Sequence, residues 1–120
     1  MNLTPREEIT PLTPQAFHVL LALAEKPMYG YGIVEQCRLD TEGTIDFLTR
    51  TVYRTLAQLC RLHLIQRTYQ LPPEGSPNPK QYYALTDTGL MVLEGECHRY
   101  QSAAFLGKHR LARLAKHRTA

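Results

Sequence analysis

The chain has 120 residues, of which 43% are hydrophobic and 21% charged, a balance typical of one soluble globular domain with a substantial core. Its net charge is only +3, yet acids outnumber cations over residues 1–47, whereas the segment 107–120 contains five cations and no acid. The three cysteines are odd in number and far apart, and no apolar run is long enough to cross a bilayer, so composition argues against a disulfide framework and a membrane protein and favours a cytoplasmic one.

The first helix is predicted after a short N-terminal arm. Residues 1–12 contain two prolines and three charged residues, and they predict a flexible arm. Thr13 and Pro14 are typical of an N-cap followed by the first helical residue. Apolar residues then recur at helical spacing up to Pro27. His18 lies off this apolar stripe, and we interpret it as a surface residue rather than a catalytic one.

A second, short helix is predicted after the sequence Tyr29-Gly30-Tyr31-Gly32, and residues 40–43 end it. The two glycines do not indicate the phosphate loop of a dinucleotide-binding fold, because neither a preceding strand nor a third glycine is present. Residues 44–47 form a connector to the next helix.

A third helix, predicted within residues 48–66, has two faces with the same period. Apolar residues at helical spacing predict its buried side: Val52, Leu56, Leu59 and Cys60. Basic and polar residues fall on the other side: Arg50, Arg54, Gln58 and Arg61. No acid occurs from residue 48 to residue 71, so nothing local neutralises this basic face, and a polyanion is the expected partner. Three short helices with the third exposed and basic predict a helix-turn-helix.

The hydrophobic period changes from 3.6 to 2 after this helix. Residues 64–71 and 81–85 are typical of two strands, and the proline-rich segment 72–79 separates them as a loop. A hairpin directly after a recognition helix is a wing. Residues 13–86 therefore predict a winged helix-turn-helix DNA-binding domain of mainly α, α+β class, with Lys80 beside a neighbouring DNA phosphate.

The last helix is predicted to begin after the N-cap Thr86 and to carry a heptad seam. Its seam positions are Leu90, Leu93, Cys97, Tyr100, Ala104, Gly107, Leu111 and Leu114. One small domain has no internal use for so long a seam, so residues 87–120 predict a dimerisation helix with a basic end. In the alternative interpretation, this helix folds back onto its own domain.

Several motifs resemble, in the same order along the chain, those of the PadR family of bacterial winged-helix regulators. They are Tyr29-Gly30-Tyr31, Thr51-Val52-Tyr53, Tyr82-Tyr83 and Leu85-Thr86. The resemblance covers residues 12–93 and implies a homodimeric transcriptional regulator, with repression expected over activation, that binds a pseudo-palindromic operator in double-stranded DNA. It also implies a small, phenolic or hydrophobic effector near the dimer interface, which no residue here identifies.

The chain departs from the family pattern mainly at the start of the third helix. Leu48, Thr49 and Arg50 replace the family's serine, proline and glycine, so base contacts there are expected to differ from those of relatives. His63 stands where the family usually has glycine, and a left-handed backbone at this residue would be tolerated at some cost. Gln81 removes one cation from the wing.

The expected DNA contacts divide by role. Arg50 and Arg54 are the candidates for guanine edges, and Gln58 shares their face. The expected phosphate contacts, which would set the register on the duplex, are Tyr31, Thr49, Thr51, Tyr53 and Lys80. For Tyr82 and Tyr83, core packing is the first expectation.

Other classes of function are weighed against this one. A winged-helix module for protein–protein interaction, without operator specificity, is the alternative, although a protein partner would not need so uniform a positive face. An enzyme is less well supported, because no nucleophile–base set, paired carboxylates or phosphate loop is present. No cofactor or metal is expected, since the cysteines and histidines lack ligand spacing. At Cys97, a thiol switch is the alternative to an inert cysteine.

Overall fold

The computed structural model describes residues 10–70 and 80–119. These residues form four helices and a three-stranded antiparallel sheet, which confirms the predicted winged helix-turn-helix fold with a long C-terminal helix. The elements in chain order are α1 (Pro14–Ala22), β1 (Met28–Tyr29), α2 (Gly30–Thr41), α3 (Thr49–Arg61), β2 (Ile65–Gln70), β3 (Lys80–Leu85) and α4 (Asp87–Thr119). The predicted loop at 72–79 and the first nine residues of the predicted arm lie outside the described residues.

The sheet has the order β1-β3-β2, with β3 in the centre. The hairpin pairs β2 with β3 from Ile65 opposite Leu85. The additional strand β1 pairs with the far edge of β3, where Tyr29 lies opposite Tyr82. The sequence did not predict β1, because two residues show no period. Tyr82 and Tyr83 are buried, as expected for tyrosines in a central strand.

Both predicted threonine caps are present. Thr13 Oγ1 accepts a hydrogen bond from the Ala16 amide over 3.1 Å, with Pro14 as the first helical residue. Thr86 Oγ1 accepts one from the Gly89 amide over 3.0 Å and donates one to the His63 carbonyl over 2.7 Å. The second cap therefore ties the start of α4 to the turn that follows α3.

That turn contains a left-handed residue, at the position where the resemblance to the PadR family sets His63 in place of glycine. His63 has a φ of 60°, a conformation that glycine adopts more easily. Beside it, the backbone of Leu64 lies so close to α4 that a Cβ at Gly89 would clash with the Leu64 carbonyl. A glycine at position 89 is thus required for α4 to pack here.

Helix α1 lies at the centre of the helical layer, because it packs against α2, α3 and α4. Its residues Val19 and Leu20 are fully buried. The other helices contribute apolar side chains to the same core: Ile33, Val34, Cys37, Val52, Leu56, Leu59, Val92 and Leu93. Helices α3 and α4 are therefore both supported by α1.

Helix α4 has two parts. Up to Tyr100 it packs on its own subunit, where Leu93 is 4% exposed and Tyr100 contacts Phe17 with ring centroids 4.6 Å apart. The segment from Tyr100 to Thr119 is about 28 Å long, and the side chains of residues 101–119 are exposed. The fold-back interpretation therefore holds for the first part of α4 and not for the second.

The last residue of the predicted arm is held against α4. Leu12 is buried, and its amide donates a hydrogen bond of 3.0 Å to Oε2 of Glu96. Glu96 is itself 3% exposed and also pairs with Arg99 over 2.7 Å. These bonds hold the pKa of the Glu96 carboxyl below its ordinary value, with the Arg99 hydrogen bond as the main cause.

Among the described residues, none of the helices combines the length and the apolarity that crossing a bilayer requires.

Candidate nucleic-acid interface

The outer face of α3 is basic and is not neutralised by nearby carboxylates. Val52, Leu56 and Leu59 are buried against the core, while Arg50, Arg54 and Arg61 are exposed on the opposite side. Within residues 10–70 and 80–119, the one ion pair joins Arg99 to Glu96 on α4. The arginines of α3 therefore keep their charge and their hydrogen-bond donors available to an external anion.

The start of α3 adds further donors to this face. Its N-cap Leu48 makes no side-chain hydrogen bond, and its first turn contains no acid. The same holds for α2, whose N-cap is Tyr29. The first amides of a helix have no partner within the helix, and together with the helix dipole they attract anions such as phosphate.

Tyr53 joins these two helix starts. Its side chain is 44% exposed, but the ring lies against Gly30, where an added Cβ would overlap the phenol. Gly30 is therefore needed so that the ring of α3 can pack on the first residue of α2. The sequence predicted a phosphate contact for Tyr53; the structure gives it a packing contact as well and leaves the phenol partly open to solvent.

Tyr31, in the first turn of α2, is 49% exposed. A hydrogen bond with the Glu35 carboxylate raises its pKa above the ordinary value for tyrosine, while the charge of Arg38 acts in the opposite direction. The phenol has a single proton, which this bond directs to Glu35, so a hydrogen bond from Tyr31 to a phosphate oxygen would have to replace the one to Glu35.

Lys80 is the first residue of β3, at the end of the wing farthest from α3, and an aromatic ring holds its side chain there. Its Nζ lies 4.4 Å from the centroid of the Tyr29 ring, which is packed in turn at 5.8 Å from the ring of Tyr82. A cation over a ring face is attracted by the ring quadrupole, so Tyr29 orients the exposed ammonium. The sequence did not assign this role to Tyr29, because the pairing of β1 with β3 brings the two residues together.

The remaining predicted contacts lie along α3. Thr49 and Gln58 are exposed and Thr51 is half-buried. Gln58 also lines a groove with Leu12, Thr13 and Leu62, so it lies on the side of α3 that adjoins the N-terminus of α1.

Two residues near the start of α3 were assigned no role by sequence reasoning. Arg38, in the last turn of α2, donates a hydrogen bond of 3.1 Å from Nη2 to the carbonyl of Phe47. His18 is half-buried, and its ring meets Phe47 edge-on with centroids 6.0 Å apart. The expectation that His18 is a surface residue was wrong, because α1 packs against the connector before α3. No periodic signal could have identified either contact.

The three cysteines lie in different environments. Burial raises the pKa of Cys37 to about 12, and burial also raises that of Cys60. Cys97 is exposed on α4. The part of the chain that the structure describes contains no cluster of three or more His, Cys, Asp or Glu arranged to hold a metal ion.

Helix α4 displays apolar side chains along its whole length. The exposed seam residues are Leu90, Cys97, Tyr100, Ala104, Leu111 and Leu114. Phe105 and Leu106 are exposed as well, at 63% and 50%, although the seam did not include them. Leu93, which the seam did include, belongs to the core of its own subunit.

Comparisons with known proteins agree with this architecture. The model of the transcriptional regulator PadR-like family matches residues 19–95. A PadR family transcription regulator from Clostridium difficile is 21% identical, with a TM-score of 0.69 over 82% of this chain and 99% of that one. A PadR-like transcriptional regulator from Bacillus cereus is 20% identical, with a TM-score of 0.70 over 80% of this chain and 89% of that one.

Bacillus subtilis PadR, solved in complex with operator DNA, is 21% identical and has a TM-score of 0.57. That match covers 67% of this chain and 44% of the longer Bacillus subtilis chain. The comparison with curated proteins gave no match.

Proposed function

The chain belongs to the PadR-like family of transcriptional regulators, and on this basis we propose that it is a homodimeric repressor that binds a pseudo-palindromic operator through α3. The observation that carries the proposal is the exposed face of α3, where Arg50, Arg54 and Arg61 have no carboxylate partner among the described residues. A surface of unpaired arginines on an amphipathic helix suits the major groove of DNA, because guanidinium groups pair bidentately with guanine.

The proposed contacts divide between bases and phosphates. Arg50 and Arg54 read base edges, and Gln58 extends the same face. Backbone phosphates are bound by residues around the helix starts and the wing: Tyr31, Thr49, Thr51, Tyr53 and Lys80. Support for these roles comes from the exposed donors, from the uncapped first turns of α2 and α3, and from the cation–π contact that orients Lys80.

The projecting part of α4 is the proposed dimerisation element. A helix of about 28 Å without contacts to its own core is marginal in water, whereas pairing with a second copy would bury its exposed leucines. The seam residues with exposed side chains, which would form the contact together with this part of the helix, are Leu90, Cys97, Tyr100, Ala104, Leu111 and Leu114. Dimerisation would place the two copies of α3 for two half-sites about one helical turn of DNA apart.

Release from DNA is proposed to follow binding of a small hydrophobic or phenolic effector near this interface. Such an effector would act by favouring a dimer in which the two recognition helices have a different separation.

The test is binding of the purified protein to duplexes from the region upstream of its own gene, across a salt series. We expect site-selective binding, with Arg54→Ala reducing both affinity and selectivity. Lys80→Ala should weaken binding to all duplexes alike and lower the salt slope by about one. Arg113→Ala, which removes an exposed arginine from α4, is the matched control and should leave selectivity unchanged.

Weak binding to every duplex, unaffected by Arg54→Ala, would refute operator recognition through α3. That outcome would favour the alternative function, a winged-helix module that binds another protein.

A further inference from the structure

Arg38 bridges the turn between the two helices of the helix-turn-helix. Its guanidinium donates to the Phe47 carbonyl over 3.1 Å, and Phe47 stands two residues before the first residue of α3. The Phe47 side chain is 2% exposed and meets the ring of His18 in α1. The backbone and the ring of this one residue are thus held by two different helices.

The start of α3 needs such support, because it lacks the usual stabilising features. Leu48 provides no side-chain cap, the first turn contains no acid, and its first two residues, Thr49 and Arg50, include no proline. A helix end without these features frays more readily. Since Arg50 lies in this first turn, fraying would also displace one of the proposed base contacts.

We propose that Arg38 is a positioning residue for DNA recognition, which braces the start of α3 by holding the Phe47 carbonyl and so directs Arg50 toward the bases. This inference rests on the proposed function, in which α3 reads the operator. Arg38 also lies seven residues after Tyr31, on the same side of α2, so a direct contact with a DNA phosphate is the competing role. The two roles differ in what they change.

The experiment compares Arg38→Gln and Arg38→Lys with Arg113→Gln, which removes the same charge from an exposed site on α4. Amide hydrogen exchange is measured at residues 52–54, whose amides make the first backbone hydrogen bonds of α3, beginning with that from Val52 to the Leu48 carbonyl. The ratio of operator to mixed-sequence affinity is measured for each protein as well. In Arg38→Gln, we expect exchange to rise and the affinity ratio to fall by about tenfold, as for the loss of one charge-assisted hydrogen bond. The salt slope should stay close to that of the wild type, because the proposed brace makes no contact with a phosphate.

Arg38→Lys should recover part of both changes, because its ammonium can donate one hydrogen bond to the Phe47 carbonyl. Arg113→Gln should change neither quantity.

Three outcomes would overturn the inference in different ways. Unchanged exchange at residues 52–54 in Arg38→Gln would show that Arg38 does not brace α3. An equal loss of affinity for all duplexes, with a salt slope lower by about one, would assign Arg38 to a phosphate instead. If the wild type lacks operator selectivity while exchange still responds to Arg38→Gln, the proposed function fails and the brace has no part in DNA recognition.

Discussion

The contact between Gly30 and the Tyr53 ring gives a sharp prediction about the packing of α2 on α3. Gly30 is buried and helical, and a Cβ there would overlap the phenol of Tyr53. Among the described glycines, Gly43 is the one with a positive φ. Residues other than glycine can therefore adopt the backbone conformation of Gly30. The change Gly30→Ala therefore combines two opposing effects.

The first effect favours alanine by about 0.5–1 kcal/mol, because glycine loses more backbone freedom when the chain folds. The second opposes it by about 1–3 kcal/mol, because the ring must move or the two helices must separate. We therefore expect Gly30→Ala to lower the free energy of unfolding by about 1–2 kcal/mol in the wild-type protein. In a Tyr53→Ala background the clash is absent, and the same change should raise the free energy of unfolding by about 0.5–1 kcal/mol.

The assay is urea unfolding of the four proteins of this double-mutant cycle. All four are measured at one protein concentration, because the stability of the proposed dimer would depend on concentration. The wild type, both single variants and the double variant give a coupling energy directly. An equal effect of Gly30→Ala in both backgrounds would refute the conclusion that the Tyr53 ring requires a glycine at position 30.

Three further changes have expected outcomes. Glu96→Gln should lower the free energy of unfolding by about 1–2 kcal/mol at neutral pH. Because folding lowers the pKa of Glu96, the stability difference between wild type and variant should be complete above the ordinary glutamate pKa and should vanish as the pH falls through the folded pKa. Unfolding measured across a pH series checks this dependence. Tyr29→Leu removes the ring that orients the Lys80 ammonium. Lys80→Ala should therefore reduce DNA affinity less in a Tyr29→Leu background than in the wild type. An equal loss of affinity in the two backgrounds would contradict this role of Tyr29. Leu111, a seam residue, is 66% exposed. Leu111→Glu should convert the proposed dimer to monomer, as measured by sedimentation equilibrium, and should leave the helix up to Tyr100 intact. A dimer that persists in this variant would show that the seam does not form the dimer interface.

The sequence alone determined the features that depend on local pattern. The period of apolar residues gave the helices and the change to strands, and Thr13-Pro14 and Thr86 marked two helix starts that the structure confirms as capped. The absence of Asp and Glu from residue 48 to residue 71 indicated that α3 has a basic face, because the sequence itself gives the charge of each segment.

Only the tertiary structure decided which distant residues meet. Strand β1 is two residues long and exists because β3 offers it hydrogen-bonding partners, which is why the placement of Tyr29 under Lys80 had no signature in the sequence. The bond from Arg38 to Phe47 likewise depends on the angle at which α2 meets the connector. Heptad spacing could not separate Leu93, buried in its own subunit, from Leu111, exposed beyond it, because one helical period serves both parts of α4 and only the position of α1 determines where the domain ends.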